Sequence, residues 1–131
     1  AINIEEQKIY SPSPTGLDSD DESVLEPKNK KWEKIVEYAN SKNSSDWRLA
    51  IMEADIMLEE LLDNLGYRGG SVGEILKSVD KNEFSTIDAA WEAHKVRNTV
   101  AHSGSEFQLN ERETKRVIAL FEQVFREFGL I

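Results

Sequence analysis

Cysteine is absent from this chain of 131 residues, and histidine occurs twice. Without cysteine there is no disulfide, no thiol chemistry and no cysteine-based metal site. Two histidines with no cysteine beside them are a thin basis for zinc, and neither a metal nor an organic cofactor is indicated. No apolar run approaches the roughly 18 residues of a membrane span, and no secretory signal pattern is visible. These absences predict a soluble, cytoplasmic chain. Residue 1 is Ala, so an upstream anchor or partner domain stays open. An excess of positive charge is also missing: 16 Lys and Arg face 25 Asp and Glu, a net of -9. A chain of that sign is a poor general nucleic-acid binder, because phosphate contacts supply most of such affinity.

The charge that is present is unevenly placed. Residues 1 to 26 hold seven acids and one lysine, a net of -6, which leaves -3 for the other 105 residues. Residues 1 to 27 read as an acidic arm or linker, with "SPSPTG" blocking regular structure and "DSDDES" as a solvated run. An arm packed on a partner subunit is the alternative. The nearly balanced body, residues 28 to 131, leaves room for a local basic site. Lys28, Lys30, Lys31 and Lys34 form one such cluster, read as a solvated face or a weak phosphate-contacting surface.

The body has the periodicity of helices. Trp32, Ile35, Val36 and Ala39 are spaced for a first helix, with Pro27 suited to its first turn. A second helix opens at the caps Ser44 and Ser45 and stops at Gly66, with Trp47, Ala50, Ile51, Ala54, Leu58, Leu61, Leu62 and Leu65 on one face. Leu49, Met52, Ile56 and Met57 add apolar area elsewhere, so this helix is expected to touch several neighbours. "SVGEILKSV" reads as a short third helix. A fourth runs from a serine cap near Ser85 to Gly104. A fifth opens at Asn110 with Glu113 three residues on, a capping-box arrangement, and buries Val117, Ile118, Phe121, Val124, Phe125 and Phe128. There is no strand alternation and no internal repeat. The predicted fold is all-α, an antiparallel bundle of four longer helices and one short one.

The fourth helix carries the chemistry, in "HKVRNTVAHSG", residues 94 to 104. On a helical wheel it is apolar on two sides and wet along Asp88, Glu92, Lys95 and Thr99. Arg97 falls almost opposite that wet edge. A buried arginine is costly unless it is paired, or unless its side opens into a cleft or a subunit interface. Candidate partners on the second helix are Glu53, Asp55 and Glu60. His94, Asn98 and His102 follow i, i+4, i+8 spacing and can line one groove, with Trp91 beside them. Each also has a plain structural role open to it: a satisfied semi-buried His94, an Asn98 bonded to another helix, and a His102 that favours the helix C-terminus.

"RNTVAH", Arg97 to His102, resembles the motif of HEPN domains: an arginine, a polar residue directly after it, and a histidine a few residues on, late in a helix of an all-α bundle. The resemblance covers about residues 30 to 130 and includes the motif's place on the penultimate long helix. It implies a homodimer in which two copies of the motif meet and build a metal-independent RNA-cleaving site. Arg97, Asn98 and His102 are then the catalytic candidates, with His94 and Trp91 as groove-lining neighbours. The residue types suit that chemistry, because a histidine can move protons near neutral pH and an arginine forks onto phosphate oxygens. Related domains instead bind nucleotides, pair with a partner protein as toxin and antitoxin, serve in defence, or have lost catalysis. A non-catalytic dimerisation or protein-interaction module is therefore the alternative. A nucleotide- or small-ligand-binding bundle would need a pocket near Trp91, His94 and Asn98.

Overall fold

The computed structural model describes residues 29 to 103 and 108 to 131. The acidic arm read over residues 1 to 27, the role of Pro27 and the helix stop at Gly104 lie outside the described residues. In chain order the helices are α1 (Lys30–Ala39), α2 (Ser44–Asn64), α3 (Val72–Ser78), α4 (Ile87–His102) and α5 (Glu111–Glu127), with no strand among the described residues. The all-α class and the succession of four longer helices and one short helix match the periodicity.

Local side-chain chemistry starts each helix. A first turn leaves backbone N–H groups without partners, and a short polar side chain just before it can accept from them. Asn29 accepts from Trp32 N, Ser71 from Glu74 N, and Asn110 from Glu113 N. For α2 the cap is Asn43, which accepts from Ser45 N; the expected caps Ser44 and Ser45 are the first two helical residues. The reason is that Asn43 already holds extended backbone, and its side-chain Oδ1 also accepts from the Ser45 hydroxyl. Gly66 ends α2 with φ +92°, a conformation that costs glycine little, and Tyr67 N then reaches back to Leu62 O (3.1 Å).

The start of α4 departs from the sequence reading. Ser85 does not cap it, and Thr86 at the cap position makes no side-chain bond to the first turn. Glu127, from the last turn of α5, supplies the acceptors: Ser85 N and Thr86 N each donate to its carboxylate at 2.8 Å, and the Thr86 hydroxyl donates as well. The end of α5 thus lies at the start of α4, so these two helices run antiparallel. Lys31, early in α1, donates to Glu60, late in α2, which makes α1 and α2 antiparallel too.

The core forms where the faces meet. Helix α2 touches all four other helices. Ala50, Ile51, Ala54, Leu58, Leu61 and Leu62 are buried as the wheel predicts, and Met57 joins them. Trp47 is only half-buried, although its indole N–H donates to Ser41 O, and Leu65, past the last helical turn, is exposed. On α5, Val117, Ile118, Phe121, Val124 and Phe125 are buried, and Trp32 of α1 meets Phe125 edge-on. Phe84, in the turn before α4, is fully buried against Phe128. These contacts fix α4 between α2, α3 and α5, and so fix the polar residues of its second half.

Burial raises the Glu127 carboxyl, but the bonds from Thr86 and Ser85 outweigh it and hold the group below the usual glutamate range. A depressed native value contributes stability that is present above the unfolded value and is lost as pH falls through the native one. Glu127→Gln is expected to cost about 1 kcal/mol at neutral pH, the scale of a lost helix cap. Urea titrations of both proteins across acid pH check this: the gap should close as pH drops below the ordinary glutamate range. A gap that is constant with pH rules out the charge as its source.

Candidate functional site

Asp55 occupies the buried stripe of α2, four residues after Ile51 and three before Leu58. A carboxylate there needs partners, because an unpaired buried charge is expensive. They come from one face of α4. His94 Nδ1 lies 3.0 and 3.2 Å from the two Asp55 oxygens, and both side chains are nearly enclosed, at 8% and 5% exposure. One turn on, Arg97 Nε lies 3.5 Å from Asp55 Oδ2. That is an ion-pair distance without a hydrogen bond, so Nε is a buried N–H with no acceptor. The other end of the guanidinium is tethered, since Nη1 donates to Asn98 Oδ1 at 3.0 Å. The Arg97 side chain keeps 30% of its surface exposed.

This cluster forms the floor of an open cleft of about 520 Å³ between α2, α3 and α4. Trp91, His94, Arg97 and Asn98 line it from α4, Asp55 from α2 and Gly73 from α3. Glu59, Glu74 and Lys77 add charges of both signs to its walls. Gly73 lies over the imidazole: a Cβ there would sit 3.8 Å from His94 Nε2, at ordinary contact distance. The cleft can therefore admit a planar group beside Trp91 and present a fixed cation and an imidazole nitrogen to it.

The five polar and aromatic positions divide in two. The structure gathers Trp91, His94, Arg97 and Asn98 at the cleft. His102, the last residue of α4, is exposed and does not line it. The stripe His94–Asn98–His102 is continuous on the helix, but α3 walls only its earlier part. Of the three carboxylates considered for Arg97, Asp55 is the partner; Glu60 is exposed and bonds Lys31, and Glu53 is exposed. The sequence signal for Asp55 was available, since it alone of the three sits on the apolar stripe. Gly73 gave no such signal, because its effect depends on how α3 lies over α4.

Among the described residues, no group of three His, Cys, Asp or Glu side chains is placed to hold a metal ion, and no helix is long and apolar enough to cross a membrane. No protein-family model, curated protein or solved structure matches this chain.

Asp55→Ala leaves the His94 ring and the Arg97 Nε without their shared carboxylate. The expected loss is about 3 kcal/mol or more, the scale for breaking a buried charged pair from one side. Asp55→Asn keeps an acceptor for His94 and should lose less. Chemical denaturation orders the three proteins; an Asp55→Ala protein as stable as the parent would show that the cluster does not brace the fold.

Proposed function

We propose that this chain is an RNA-cleaving domain of the HEPN type, acting without metal and as a homodimer. Arg97 binds the reacting phosphate, Asn98 holds the guanidinium, and His102 moves a proton. The observation that supports this most is the state of Arg97. Its Nε lies within ion-pair range of Asp55 and one amino group donates to Asn98, yet 30% of the side chain stays exposed and it lines the cleft. A fixed and always-charged fork suits the oxygens of a phosphodiester. The exposed His102 at the end of α4 is available to a second copy of the chain. A composite site built from two chains accommodates its distance from the cleft. Trp91 gives a flat face on which a splayed base can stack, the usual way that single-stranded RNA is held.

The reaction that fits is transesterification. The 2′-hydroxyl loses a proton and attacks phosphorus, Arg97 offsets the charge on the non-bridging oxygens, and the 5′-oxygen leaves with a proton. The products carry 2′,3′-cyclic phosphate and 5′-hydroxyl ends. A second reading, a nucleotide-binding module without catalysis, is favoured by one observation: Trp91, His94 and Asn98 line the cleft while His102 does not.

The test is a solution mass by light scattering, followed by incubation with mixed single-stranded RNA in EDTA. A dimer that cuts RNA is expected. Arg97→Ala should slow cleavage by about 100-fold or more, the scale for removing one preorganised transition-state donor. His102→Ala should slow it by about 100-fold or more as well, the scale for a lost proton-transfer group. Both variants should remain folded and dimeric. A parent protein that binds a nucleotide in the cleft and cuts nothing would replace this reading with the second.

A further inference from the structure

His94 lies outside the Arg97–His102 motif, and bracing two helices accounts for only one of its ring nitrogens. Nδ1 faces the Asp55 carboxylate, which can only accept, so Nδ1 carries the proton. In the neutral ring Nε2 is then the atom with the lone pair. Nε2 has no hydrogen-bond partner among the described residues, although the side chain is only 8% exposed. It lies beside Gly73, and both residues line the cleft. A buried imidazole with one nitrogen fixed by a carboxylate and the other open to a cleft is the arrangement of a positioned general base.

We infer that His94 Nε2 is the proton acceptor of this site, with Asp55 as its positioning residue. The inference rests on the RNA-cleaving reading and changes its assignment of roles, because the base and the acid become different histidines. A 2′-hydroxyl seated in the cleft gives its proton to His94 Nε2. The O2′–P bond forms, the P–O5′ bond breaks, and O5′ takes a proton from His102. Asp55 stabilises the imidazolium left at His94, which returns its proton to water as His102 regains one. Eight residues separate the two histidines along α4, a rise of about 12 Å. That exceeds the span of one phosphodiester, so the acid in each reaction comes from a second copy of the chain.

A substrate with sulfur in place of the bridging O5′ separates the roles, because a thiolate leaves without needing a proton. With full-length protein and ordinary RNA, His94→Gln and His102→Ala should each slow cleavage by about 100-fold. With the 5′-thio RNA, His102→Ala should recover to the parent rate and His94→Gln should not. Gly73→Met leaves the Asp55–His94 pair in place and covers Nε2; it should slow both substrates, and it decides the matter if His94→Gln fails to fold. Asp55→Asn should alter the pH profile of the rate, which a purely bracing carboxylate would not do. Parent-rate cleavage by His94→Gln or Gly73→Met, or rescue of His94→Gln by sulfur, overturns the inference and leaves the RNA-cleaving reading standing. A parent protein that cuts neither RNA removes that reading and the inference together.

Discussion

One carboxylate in the wrong solvent organises this molecule. Asp55 sits in the apolar stripe of the longest helix, where a leucine would pack without penalty. Its charge must be met, and only α4 offers both an imidazole and a guanidinium at the same level. Meeting it fixes the rotation of α4 about its own axis, because His94 and Arg97 are one turn apart on a single face. Once that rotation is set, Ala90, Ala93 and Val100 are buried and Lys95 and Thr99 reach water. Apolar packing alone would tolerate several rotations of a helix as rich in alanine as this one. A buried ionic contact tolerates few, and this is the best-attested use of such contacts.

The ion pairs other than those of Asp55 lie outside the core and do different work. Lys31–Glu60 and Arg126–Glu122 are exposed pairs of the kind that contribute little to stability. Arg116 is better placed. It bonds Glu113 on its own helix and reaches Glu92 on α4, and its guanidinium lowers the Glu113 carboxyl. With Glu127 at the other end, α4 is gripped by α5 near its start and along its wet edge. The side of α4 turned away from α5 stays free to face α3 and the cleft.

Much of this was legible in the amino-acid order. Periodicity of three to four residues marked five helices, and Asn110 with Glu113 marked the start of α5 because capping is local. Legibility failed where a local group was displaced by a distant one. Ser85 has the form of a cap, but nothing in the order of residues says that Glu127 arrives first. Ser44 and Ser45 lost to Asn43 by one and two positions, which is the usual limit of boundary assignment. At the site, a wheel could place Arg97 away from solvent and name Asp55 among three partners. It could not show that α3 covers only part of the stripe, which separates His102 from His94, nor which nitrogen of His94 would face Asp55. Those are properties of how the helices lie together.

The clasp between Glu127 and the start of α4 has a consequence in time. Thr86 waits for an acceptor forty-one residues downstream. During synthesis α4 is therefore made without the group that closes its first turn, and it stays unclosed until the last turn of α5 has left the ribosome. The start of α4 takes its final form late in the birth of the chain.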